Sequence, residues 1–143
     1  MTISPDFTAF ASTYEAGKPQ VLSTKLVADL ETPVSAYIKL ADGRPNSFLL
    51  ESVEGGSVRG RYSIIGFKPD VIWRCIKGQA EINRNARADA RAFEKIDGRP
   101  LETLRGLIRE CQMDLPAELP PMASGLFGFL GYDMVRDMER LPD

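Results

Sequence analysis

The chain has 143 residues, a size that suits one domain, and 43% of them are hydrophobic, so a sizeable core is possible. Its 18 basic and 20 acidic residues leave a net charge of −2, which gives no electrostatic footprint for nucleic acid or an anionic membrane. Histidine is absent, so Ser-His and Cys-His nucleophile pairs are excluded within the chain.

The first predicted element is a helix over residues 6–16, with Phe7, Phe10, Ala11 and Tyr14 on one face and GKP ending it. The stretch 20–29, QVLSTKLVAD, is β-rich with partial alternation. Thr32-Pro33 opens a second helix: Thr is a good N-cap, and Pro suits a first helical position, where its missing N–H costs nothing. Val34, Tyr37, Ile38 and Ala41 form its apolar stripe, which makes Tyr37 a core residue, and Asp42-Gly43 ends it. Residues 47–53 read as a strand, Glu54-Gly55-Gly56 as a turn, and residues 61–67 as the next strand.

Lys77-Gly78 between 71–76 and 79–83 is a two-residue hairpin signal, and Trp73 belongs to sheet packing there. Residues 84–98, rich in Ala and charge, read as a loop or a short surface helix; Arg84, Arg87, Arg91 and Lys95 form a solvated face. Residues 100–111 are a clear helix carrying Leu101, Leu104, Leu107, Ile108 and Cys111 on one side. Residues 116–121 read as an extended, Pro-rich connector. The Gly-spaced GLFGFLGYDM block within 124–134 reads as a strand that passes into a helix near Tyr132-Asp133. The sum is an α+β fold, an antiparallel sheet with flanking helices.

Cys75 and Cys111 are isolated in apolar neighbourhoods, which fits free thiols in a reducing cytoplasm rather than a disulfide framework or zinc site. The N-terminus lacks the pattern of a signal peptide, and no run nears the roughly 18 apolar residues of a membrane span. There is no GxxxxGK[ST] loop and no GxGxxG fingerprint. Nothing here composes a complete active site.

Four blocks, DLETPVSAYIKL, FLLESVEGG, GRYSIIGFKPD and GLFGFLGYDMVR, stand in the order and spacing of anthranilate synthase component I. The chain resembles the N-terminal region of that family almost end to end. The resemblance implies an enzyme that converts chorismate and ammonia to anthranilate and pyruvate with Mg²⁺. A glutamine amidotransferase subunit or fused domain is the implied ammonia source. It also implies an α/β/β/α sandwich for the whole enzyme, with chorismate and Mg²⁺ held by a C-terminal domain. Residues 1–143 are then a fragment, inactive alone, whose partners include its own C-terminal domain and which has an apolar face open to self-association.

Tryptophan inhibits the family by binding mostly in this region. Carried over, its contacts fall on Pro33, Leu50, Glu51 and Ser52. The chemistry is coherent: a carboxylate accepts from an ammonium, a serine hydroxyl assists, and Leu49, Leu50 and Pro33 offer an apolar wall for an indole. Arg59 or Arg61 is the candidate cation for the ligand carboxylate. Without the resemblance, Glu-Ser before Glu-Gly-Gly is an ordinary strand exit with turn chemistry. Two alternatives stand beside this reading: the same region of aminodeoxychorismate synthase component I, and a non-enzymatic amino-acid-binding module.

Overall fold

A computed structural model describes residues 2–51 and 62–139, apart from the Pro121 side chain. The chain divides into two compact units, Met1–Val27 with Leu104–Asp143, and Ala28–Thr103. Each described sheet is small and antiparallel, so the class is α+β, as the pattern of alternating runs implies.

In the first unit, β1 (Ile3–Ser4) pairs with β2 (Ser23–Thr24), Ile3 opposite Thr24. The β-rich reading of 20–29 thus shrinks to two residues, because Ile3 and Ser4 are all the partner that the ladder has. Helix α1 (Phe7–Glu15) starts where Asp6 accepts from the Ala9 N–H at 2.9 Å, an N-cap bond. Phe7, Phe10 and Tyr14 line one face, with successive ring centroids 6.5 and 5.8 Å apart. That face is not core: Phe7 and Tyr14 are largely exposed.

Helix α3 (Pro100–Glu110), which belongs to this unit from Leu104 on, follows its apolar spacing and buries Leu107. The connector at 116–121 is not wholly extended. The Leu119 N–H reaches back to the Pro116 carbonyl at 3.0 Å, and a 3₁₀ turn occupies Pro121–Ala123. The strand expected in 124–134 is absent. A strand exists only through a ladder, and no ladder among the described residues includes this block. Its end does turn helical, as a 3₁₀ turn at Tyr132–Met134 and then α4 (Val135–Met138).

The second unit opens with α2 (Pro33–Ala41). Thr32 and Ser35 form a capping box: Thr32 Oγ1 accepts from the Ser35 N–H at 3.1 Å, and Ser35 Oγ accepts from the Thr32 N–H at 2.9 Å. Asp42, at φ 47°, ends the helix in the left-handed region, followed by Gly43 at φ 64°. Of the expected stripe, Ala41 is buried while Val34 and Ile38 are exposed.

Strand β3 (Phe48–Glu51) pairs with β4 (Ser63–Gly66). The predicted turn at Glu54-Gly55-Gly56 lies outside the described residues. Phe48 faces Gly66, and a Cβ on Gly66 would sit 2.2 Å from the Phe48 ring. Only a glycine lets that ring lie across the partner strand.

The Lys77-Gly78 hairpin forms as read. Both residues have positive φ, 51° and 79°, between β5 (Ile72–Ile76) and β6 (Gln79–Asn83). A third strand, β7 (Glu94–Ile96), completes the sheet in the order β5-β6-β7, with Ile82 opposite Glu94 and Ala80 opposite Ile96. Residues 84–98 are therefore not merely a loop or a surface helix. The fully buried Asn83 folds them back: its Nδ2 donates to the Asp89 carbonyl at 2.7 Å, and its Oδ1 accepts from the Asn85 N–H at 2.8 Å. Ala80, Ile82 and Asn83 of the central strand are all buried. Trp73 is half-buried, as sheet packing implies, and its indole N–H donates to Thr103 Oγ1 at 3.1 Å.

Candidate functional site

The candidate residues that are described, Pro33, Leu50 and Glu51, sit on two elements that pack together, α2 and the β3–β4 pair. Pro33 is the first residue of α2 and is half-buried. The capping box just before it fixes where the helix starts, and so fixes the proline ring. Leu50 and Glu51 end β3, Leu50 opposite Ile64 and Glu51 opposite Ser63; both are exposed. Ser52, Arg59 and Arg61 lie outside the described residues.

Strand geometry sorts these side chains. Alternation puts Leu49 and Glu51 on one face of β3 and Phe48 and Leu50 on the other. The register adds Ile65 and Ser63 to the face of Glu51. Leu49, rather than Leu50, is thus the apolar neighbour on the carboxylate's own face, with the half-buried Ile65 directly across. Leu50 offers that face its backbone. The face combines an apolar pair, a carboxylate and a hydroxyl, which is a donor–acceptor set suited to a small zwitterion with an apolar body.

Three residues here carry no signal in the sequence. Ile65 and Ser63 join the Glu51 face only through register. Tyr37, read as core, is half-buried, and its hydroxyl lies 2.9 Å from Ser47 Oγ. The pair is ten residues apart, a spacing with no local pattern to betray it.

Electrostatics at the start of α2 are local. The Glu31 carboxylate receives the Lys39 ammonium and the Ser35 hydroxyl, the latter at 2.7 Å. The Lys39 bond first, and the Ser35 bond second, hold the Glu31 carboxyl below the ordinary carboxylate value.

A cavity of about 380 Å³ lies elsewhere, in the first unit, between the end of α3 and residues 124–126, with Ile108, Cys111, Met113 and Leu126 in its wall. It contains none of the candidate residues. Cys75 and Cys111 are free thiols, each half-buried. Among the described residues no three carboxylate, histidine or cysteine side chains converge as metal ligands. No described helix is long and apolar enough to cross a membrane.

Comparison with known proteins then decides the relationship. The chain is 54% identical over 136 residues, 95% of its length, to anthranilate synthase component 1 of Cereibacter sphaeroides. The chain is a homologue of anthranilate synthase component 1. It is also 39% identical to that protein of Synechocystis over 98% of the chain, and 43% identical to that of Mycolicibacterium smegmatis over 83%. It spans about a quarter of the length of these relatives, 27%, 27% and 22% respectively. No family model matches the chain, and no solved structure matches it. The anthranilate synthase match runs over nearly the whole chain, including both elements of the candidate site.

Proposed function

We propose that this chain is the N-terminal regulatory part of anthranilate synthase component 1 and that it carries most of a tryptophan feedback site. The enzyme's chemistry, conversion of chorismate and ammonia to anthranilate and pyruvate, belongs on this reading to polypeptide beyond these residues. That polypeptide would also hold Mg²⁺, within a cytoplasmic enzyme of α/β/β/α sandwich form. A glutamine amidotransferase would supply the ammonia. The observation that carries the reading is 54% identity along 95% of the chain to a protein of that name.

The geometry supports an inhibitor site at the α2–β3 corner. The Glu51 carboxylate accepts from the ligand ammonium, Ser52 assists, and the ligand carboxylate meets Arg59 or Arg61. The indole rests on Pro33 and on the wall beside β3, where Leu49 and Ile65 share the face of Glu51 and Leu50 contributes its backbone. Regulation follows if tryptophan binds one arrangement of the enzyme better than another, since only that difference shifts the population. A coupling of about 1–3 kcal/mol is the usual size of such an effect.

The test is inhibition of the intact enzyme. Glu51→Gln and Ser52→Ala each raise the half-inhibitory tryptophan concentration, by about tenfold for the charge-assisted bond of Glu51. Unchanged inhibition in both variants overturns the site.

A further inference from the structure

Ser47 holds two hydrogen bonds at once. Its hydroxyl donates to the Arg44 carbonyl at 2.8 Å, and its oxygen lies 2.9 Å from the Tyr37 hydroxyl. A serine has one proton to give. The proton between the two hydroxyls therefore comes from Tyr37, and the chain of donation runs Tyr37 to Ser47 to the Arg44 carbonyl. Such a series polarises each bond in it. It crosses from the middle of α2, over the reversal marked by Asp42 and Gly43, to the residue just ahead of β3.

The location matters because α2 and β3 pack against each other, and a hydrogen bond fixes direction where apolar packing does not. Carrying the alternation of β3 back by one residue puts Ser47 on the side of Leu49 and Glu51. The helix hydroxyl thus grips the strand on the face that bears the candidate carboxylate. Pro33 lies four residues before Tyr37 on the same helix, one turn away and on the same side.

We propose that Tyr37, acting through Ser47, is the positioning residue of the amino-acid site: it sets α2 against β3 so that Pro33 and Glu51 face one ligand. This rests on the feedback-site reading above. Tyr37 need not touch the ligand.

The experiment is calorimetric titration of L-tryptophan into the intact enzyme and its variants. Tyr37→Phe and Ser47→Ala each raise Kd by about three- to tenfold, the worth of one net hydrogen bond. The double variant is no weaker than the worse single one, because both lose the same bond. Ser47→Thr keeps the hydroxyl and holds Kd within about twofold, well inside that one-bond effect. A thermal unfolding scan of each variant confirms that the protein titrated is folded. Additive losses in the double variant, as from two unrelated structural defects, overturn the proposal. So does an unchanged Kd in both single variants when Glu51→Gln weakens binding, and that result leaves the site itself standing. If Glu51→Gln also leaves Kd unchanged, the site falls and the positioning role falls with it.

Discussion

Within the second unit, the β5–β6–β7 sheet and the α2–β3–β4 corner are built from similar lengths of chain and finished to different degrees. The sheet satisfies itself. Asn83 is buried with its amide bonded on both sides, and Arg74 pairs with Glu81 across the strands at 2.6 Å. The same guanidinium lies 3.5 Å from the centre of the Phe93 ring. The corner leaves Val34, Ile38, Leu50 and Glu51 exposed, and its hydrogen bonds fix directions more than they bury surface. One region spends its polar groups on closing a loop, the other keeps polar and apolar groups open side by side. That contrast is what separates a scaffold from a candidate binding surface.

The difference is sharpest at Asn83. Asn83→Ala strips partners from the Asp89 carbonyl and the Asn85 N–H and is expected to cost about 2–3 kcal/mol, read as a lowered urea midpoint. Hydrogen exchange should quicken in β7, whose return beside β6 depends on that loop. A midpoint within error of the parent would remove Asn83 as the organiser of the sheet.

At the corner the largest structural effect is expected from Gly66→Ala. The added methyl meets the Phe48 ring, and overpacking of this kind costs about 1–3 kcal/mol. Phe48→Leu in the same chain should recover part of the loss, since the smaller side chain leaves room. Equal losses with and without the second change would mean that the ring already yields.

The smallest effect concerns pH. Glu31 is held below its ordinary value of 4.5, chiefly by Lys39 and then by Ser35. A lowered folded-state value means that the carboxylate contributes stability above the unfolded value and loses it as pH falls through the folded one. Carbon-detected NMR titration should show the Glu31 midpoint rising toward 4.5 in Lys39→Met. The contribution is modest because the pair is exposed, and an unmoved midpoint would assign the shift to Ser35 alone.

Much of the fold was legible where its cause is local. Thr32-Pro33 announces α2 because capping is settled within four residues. Lys77-Gly78 announces its hairpin because the turn itself demands positive φ at both positions. β7 was not legible: EKI is too short to show alternation, and its partner is fixed by the Asn83 side chain, eleven residues earlier. GLFGFLGYDM carries glycines and aromatics that suit a strand, yet a strand is a property of two segments. For the site, Pro33, Leu50 and Glu51 could be named from the quoted blocks. Which of them share a face could not, because that is a matter of register across β3 and β4. Tyr37 looked like core since periodicity reports the ring and says nothing about where its hydroxyl reaches.

The capping box at Thr32 and Ser35 has one more consequence. A ligand that meets Pro33 meets a ring whose φ is locked by its own covalent geometry, on a helix end already tied by two reciprocal bonds. Little chain entropy is left there to lose on association, so the rim of the proposed site is rigid in advance, which favours affinity at that edge.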